Sequence, residues 1–168
     1  MQTWVLRLGA PLSGSVTRHS TASVHDLWVT LIDVTRMGEW SPECKGCEWR
    51  TPNDHIEVGA QFRGSNRWGP LRWSTTCTIE VFEIDSCFAY SARHSSGATT
   101  RWTYRLGSNE AGTTVTEAFE SVNSPVAVLA LDRLVGRPRR LLRHMDATLA
   151  RLVHHVERHG ATTGPTER

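Results

Sequence analysis

The stretch "TRMGEWSPECKGCEWR", residues 35–50, holds two of the chain's four cysteines, Cys44 and Cys47, in a C-x-x-C spacing. Such a pair invites a zinc or redox reading. A structural zinc site needs four ligands, usually as two close pairs. The remaining cysteines are Cys77 and Cys87. They fall on consecutive alternating segments that would form a hairpin turning near Asp85, so Cys77 would sit opposite residues well beyond Cys87 and on the other face. A thioredoxin-like motif would open a helix after a strand, whereas here Pro42 leads into a strand. The expectation is therefore two unpaired thiols with no metal, in a stretch that forms the rim of something else.

Glu117 is the sharper candidate. In "TTVTEAFESV" it alternates with Val115 and Phe119, which places a carboxyl on an apolar face. Desolvation there disfavours the charge and raises the pKa, and such a group can serve as general acid or base near neutral pH. The competing expectation is a structural partner for an arginine or for backbone, because buried carboxylates are usually paired.

The elements that must position these groups follow from the hydrophobic period. Residues 13–20, "SGSVTRHS", read as a first strand. Ser23 and Asp26 have capping-box spacing, and Val24, Leu27, Trp28 and Leu31 then recur at helical spacing. Gly38 is expected to end a second helical turn before Pro42. Period two follows. Phe62, Gly64 and Asn66 share a side, as do Trp73, Thr75, Cys77, Ile79 and Val81. Phe88, Tyr90, Ala92 and His94 form a third set, and Trp102, Tyr104 and Leu106 a fourth. The breaks "NRWGP", "EIDS", "HSSG" and "GSNEAG" are turn-rich and short, which makes the segments successive antiparallel hairpins. After Pro125 the helical period returns, with Ser124 as N-cap and an interruption at Gly136 and Pro138. Leu141, Leu142, Met145, Leu149, Leu152, Val153 and Val156 then mark one long apolar face. A curved sheet covered by that helix leaves a cavity wherever the two diverge.

Bulk properties set outer limits. The 168 residues are 39% hydrophobic and 21% charged, with a net charge of +2. These values suit one globular domain, here residues 12–159, followed by a disordered polar tail at 160–168. The start lacks a sustained apolar run, and no stretch approaches the roughly 20 apolar residues of a membrane span. The expected location is cytoplasmic, with reduced thiols. From Asp132 to Arg158 there are seven arginines and three acids. Most should form a solvated helix face, with contact to an anionic membrane surface as the alternative. No nucleic-acid partner is expected, because no aromatic-rich basic strand accompanies them. His155 and His159 sit too near a fraying helix end to suggest a metal site. Signatures of serine hydrolases, P-loops, Rossmann domains and H-E-x-x-H zinc proteases are absent.

Several segments together carry a resemblance. They are "DVTRMGEWSPE", "VGAQFRGSNRWGPLRWSTTCTI", "TTRWTYRL", "GTTVTEAFE" and "HMDATLARL", within residues 14–158. With them the chain resembles the SRPBCC (START-like, helix-grip) superfamily, in particular its polyketide cyclase/dehydrase-like proteins. The resemblance implies an α+β fold in which a curved seven-stranded antiparallel sheet grips a long C-terminal helix, with two short helices after the first strand. It also implies a deep cavity for a polyketide, lipid or quinone-like molecule. One fold hosts many functions, so activity must be argued from the site.

Under this resemblance two functions stand. One is a cofactor-free cyclisation or dehydration, with Glu117 as acid/base and Tyr104 and Asn66 orienting carbonyls. Tyr104 and His94 could donate to an enolate. The other is a non-catalytic carrier or sensor, which needs only the cavity and the basic helix. Trp40 would lie in the loop at the cavity mouth, either as a gate or as packing. Phe62, Trp73, Phe88, Trp102, Phe119 and Met145 would supply apolar wall, and Thr75, Cys77, Tyr90 and His94 the more polar lining. Aromatic walls suit a planar or polyprenyl ligand. The oligomeric state is left open.

Overall fold

A computed structural model describes residues 10–50, 56–110 and 112–160. Strand β1 (Ser13–Ser20) leads into α1 (Val24–Ile32), a 3₁₀ turn (Val34–Arg36) and the short α2 (Met37–Trp40). Then come β2 (Cys44–Trp49), β3 (Gln61–Trp68), β4 (Leu71–Glu83), β5 (Cys87–His94), β6 (Thr99–Asn109) and β7 (Gly112–Asn123). Helices α3 (Val126–Leu134) and α4 (Arg137–His159) close the described chain. The seven strands form one antiparallel sheet in the order β1-β7-β6-β5-β4-β3-β2. This is the helix-grip arrangement expected from the sequence. Residues 161–168 of the expected tail lie outside the described residues, and Gly160 caps α4.

Local chemistry sets the element ends. The Ser23 oxygen accepts from the Asp26 backbone amide at 3.1 Å, and its hydroxyl donates to the Asp26 carboxylate at 2.7 Å. Ser23 is thus the N-cap of α1, as its spacing suggests. Gly38 does not end a helical turn but lies inside α2, which runs on to Trp40 and stops at the extended Ser41. Its lack of a side chain serves packing, since a Cβ there would stand 2.8 Å from the Lys45 carbonyl oxygen of β2. Pro125, not Ser124, is the N-cap of α3. Gly136 has φ +68° and separates α3 from α4, so the expected interruption is a full break.

One face assignment changes. Val81 does not continue the inner row of β4. Ile79 pairs with Tyr90 and Val81 with Ala89, so Glu80 is an extra residue and the alternation flips there. Phe82 takes the inward place instead, pairing with Phe88 and touching the ring of Trp28 at 5.3 Å between centroids.

Helix α4 holds the molecule together. Leu141, Met145, Leu149, Leu152, Val153 and Val156 are all buried against the sheet and the small helices. Around this face, Arg18 of β1 donates two hydrogen bonds to Asp146 at 2.9 and 2.7 Å. Glu157 accepts from the Ser20 hydroxyl and the Thr21 backbone amide. The apolar contacts should dominate. Truncating Leu149, which is 0% exposed, to alanine is expected to cost about 2–5 kcal/mol. Asp146→Asn removes a pair whose side chains are 39% and 50% exposed and should cost no more than about 1 kcal/mol. Urea unfolding of the two variants checks the order.

Candidate functional site

A small cavity of about 90 Å³, open at one mouth, lies between α4 and the inner face of the sheet. That is below the usual volume of small-molecule sites, so a large ligand would need the walls to part. One wall comes from β3 and β4, which contribute Phe62, Asn66, Trp73, Thr75 and Cys77. The opposite wall comes from β5, β6 and β7, with Tyr90, His94, Trp102, Tyr104 and Glu117. Met145 faces it from α4. All of these were singled out by alternation along the strands or by helical spacing.

Three expected lining residues are elsewhere. Phe88 is 0% exposed in the core and packs edge-on to Phe82 and against Tyr90 and Tyr104. Phe119 belongs to a second apolar cluster with Leu12, Leu129, Leu141 and Met145. Trp40 does not gate the cavity. Its ring packs on His155 of α4 at 4.9 Å and under the Arg36 guanidinium at 5.0 Å, so it anchors α2 to the long helix. Sequence spacing put Trp40 beside the mouth, but only the docking of α2 on α4 decided which way it turned.

Glu117 and Tyr104 form the chemical centre. They pair directly across β6 and β7, and each is 3% exposed. The Tyr104 hydroxyl donates to Glu117 Oε1 at 2.9 Å. Glu117 Oε2 is buried without a hydrogen-bond partner. Among the described residues no cation pairs with this carboxyl, so its partner is a tyrosine and neither the arginine nor the backbone group that the sequence left open. Burial raises the Glu117 pKa to about 8, and the Tyr104 hydrogen bond opposes the rise only partly. At neutral pH the group is mostly a neutral acid.

Asn66 does not join this pair. Strand β3 is four places from β7 in the sheet, so Asn66 faces Glu117 across the cavity. Its amide makes only a long contact, 3.5 Å, to the Gly64 carbonyl. The Tyr90 hydroxyl donates to Met37 Sδ at 3.7 Å. His94 titrates below its ordinary value, chiefly through burial and then through the nearby Arg137 charge.

Sequence reasoning missed part of the polar lining. Glu43, Arg137 and His144 also line the cavity. Glu43 Oε1 lies 2.9 Å from His144 Nδ1 and 3.5 Å from Arg140 Nε, and the Arg140 guanidinium stacks 3.8 Å over the Trp68 ring. Arg137 and Arg140 are therefore not part of a solvated face, since their side chains are only 25% and 12% exposed. The i, i+4 spacing of Arg140 and His144, flanking Leu141 and Met145, was the available signal.

The cysteines also move from the rim to the wall. Cys44, Cys47 and Cys77 all line the cavity, and Cys44 Sγ is 3.6 Å from Cys47 Sγ. Cys87 is a free thiol elsewhere. Among the described residues no three His, Cys, Asp or Glu side chains gather as a set able to hold a metal ion.

Residues 11–157 match the family described as "Polyketide cyclase / dehydrase and lipid transport". The chain belongs to that family. Solved structures agree with the family's fold. The Zhui aromatase/cyclase from Streptomyces sp. R1128 superposes with a TM-score of 0.71 at 15% identity, covering 94% of this chain and 100% of that one. The di-domain ARO/CYC StfQ of the steffimycin biosynthetic pathway gives 0.71 at 12% identity, covering 88% of this chain and 51% of that one. The Polyketide_cyc-like protein Cgl2372 from Corynebacterium glutamicum gives 0.53 at 24% identity, covering 93% and 99%. No curated protein matches the sequence.

For this family member, the raised Glu117 pKa carries a stability prediction. Its folded value lies above that of the unfolded chain, so its contribution is fully present below about pH 4.5 and is lost as pH rises to about 8. Glu117→Gln keeps an acceptor for Tyr104 and cannot ionise. Its melting temperature should match the parent's near pH 4.5 and exceed it increasingly up to pH 8–9. The gap should be about 2–4 °C for each kcal/mol of relief. Melting curves across that range test it, and a constant gap would contradict the assignment.

Proposed function

We propose that the protein encloses a polyketide-like molecule bearing ketone groups and catalyses its cyclisation and dehydration without a cofactor. The observation that carries the reading is Glu117, a buried carboxyl with one oxygen held by Tyr104 and the other unpartnered, in a cavity lined by aromatic rings. A neutral carboxylic acid there donates its free O–H to a ketone oxygen and polarises the carbonyl for attack by an enol carbon of the same chain. In the dehydration, the proton of Glu117 leaves with the hydroxyl group as water. The substrate's α-proton then returns to the carboxylate, so the acid is regenerated. Tyr104 fixes the orientation of the carboxyl throughout.

The surroundings favour such a ligand. Trp73 and Trp102, with the edge of Tyr90, offer apolar surface to a folded chain, and the fully buried Phe62 backs them. Asn66, across the cavity, supplies an amide that can bind a second carbonyl. Two of the structural neighbours are aromatase/cyclases by name, which supports the same substrate class.

A second reading, a non-catalytic carrier of a lipid or quinone, has its own observation. Helix α3 presents Val126, Leu131 and Leu134 to solvent, with Val135 just after it, and Arg139 and Arg143 of α4 are also exposed. Exposed apolar residues together with exposed arginines suit transient contact with an anionic membrane surface.

Glu117→Gln separates the two. With a ligand identified by native mass spectrometry of the purified protein, the variant should keep its dissociation constant within about threefold. Its turnover should fall by about 10²–10⁴-fold, the usual contribution of a positioned acid or base. The parent's turnover should decline above about pH 8, where Glu117 loses its proton. Unchanged turnover in the variant, or a rate that rises through that pH, would remove Glu117 from the chemistry. A ligand that emerges unaltered from both proteins would favour the carrier.

A further inference from the structure

In a regular strand, residues three apart point to opposite faces. Cys44 and Cys47 do not. Cys44 pairs with Asn66, Gly46 with Ser65 and Cys47 with Gly64, so Lys45 is an extra residue in β2 and forms a bulge against β3. The bulge turns both cysteines to the inner face, beside the cavity. Their partners Asn66 and Gly64 are on that face too. A Cβ at Gly64 would crowd Thr75 Oγ1 at 3.0 Å and would meet Cys47 Sγ at an ordinary contact distance of 3.9 Å.

The two sulfurs are consequently 3.6 Å apart, in hydrogen-bond contact, with each residue at most 7% exposed. Both open onto the cavity rather than onto bulk solvent. Either thiol can donate to the other, and the Cys44 thiol also donates to the Gly46 carbonyl at 3.6 Å. The contact between the sulfurs lowers the Cys44 pKa despite burial and raises that of Cys47. The remaining thiols are placed differently. Cys77 bonds to the Thr75 hydroxyl and is pushed up to about 11 by burial. Cys87 is a buried, separate thiol.

We propose that Cys44 and Cys47 form an oxidisable dithiol in the cavity wall, which a small peroxide converts to a disulfide. In the first step the Cys44 thiolate attacks one peroxide oxygen. The O–O bond breaks, a sulfenic acid forms, and the departing hydroxide becomes water on taking a proton. Cys47 then attacks the Cys44 sulfur. The S–S bond forms, the S–O bond breaks, and the second hydroxide leaves as water with the Cys47 proton. The balance is one peroxide and two thiols to one disulfide and two waters. The sulfur–sulfur separation must fall from 3.6 Å to about 2.05 Å as the bond forms. This modification needs only the bulge and the cavity and is independent of Glu117 chemistry.

Lys45 makes the product easy to read, because trypsin cuts between the two cysteines. Native protein is treated with hydrogen peroxide, the peroxide is removed, and the protein is denatured in the presence of an alkylating agent and digested. Peptides 37–45 and 46–50 should appear joined, with the mass of two hydrogens missing, and should separate on reduction. Cys87 should remain alkylated. In Cys47→Ser the joined species should be lost and Cys44 should be trapped as a sulfenic acid by dimedone. The parent protein tests the proposal without any variant. It is overturned if Cys44 and Cys47 stay alkylatable to the same extent as Cys87, if Cys44 advances to sulfinic acid with no joined peptides, or if either cysteine links to Cys77.

Discussion

The structure depends on one act of burial, that of the apolar face of α4 in the concavity of the sheet. Leu141, Met145, Leu149, Leu152, Val153 and Val156 cannot be covered by solvent-exposed loops, and a seven-stranded antiparallel sheet supplies the one large apolar surface available. Twist makes the sheet concave, while a helix is straight on the same scale. The two surfaces therefore meet along part of their length and separate along the rest. The cavity is the space left by that mismatch, so the interaction that holds the fold also creates the site.

The same geometry accounts for the chemistry. A carboxyl on the inner row of β7 is withdrawn from bulk solvent, and its neighbour on β6 offers a tyrosine hydroxyl but no positive charge. Burial, which favours the neutral form, raises its pKa to about 8 against the opposing Tyr104 hydrogen bond. Two basic residues at the start of α4 are engaged elsewhere. Arg137 pairs with Asp132, and Arg140 lies between Glu43 and Trp68. Were one of these guanidiniums within reach of Glu117, the carboxyl would ionise and lose its capacity as an acid. The separation of charges along the helix thus preserves an uncharged acid in the cavity.

Much of this was legible in the alternation. Glu117, Tyr104, Asn66, Thr75, Tyr90 and His94 all face the cavity as their spacing indicates, because strand periodicity fixes which side a residue takes. The failures have a common physical cause. Val81 was displaced from its row by the bulge at Glu80, and the bulge at Lys45 brought Cys44 and Cys47 together. An extra residue in one strand is visible only against its partner strand. Phe88 and Phe119 were assigned the correct face, yet the face is larger than the cavity. Core takes one share of it.

By itself the sequence determined the order of elements, the inward and outward faces of most strands, the apolar face of the final helix and the membership of an inner-facing acid. These properties depend on residue type and local period. Tertiary structure alone decided that Tyr104, not an arginine, partners Glu117, that Trp40 anchors α2 instead of gating a mouth, and that two cysteines come within 3.6 Å. Each of those outcomes depends on register between strands or on the docking of a helix. Both are set by the simultaneous packing of residues far apart in the chain, which no local pattern encodes.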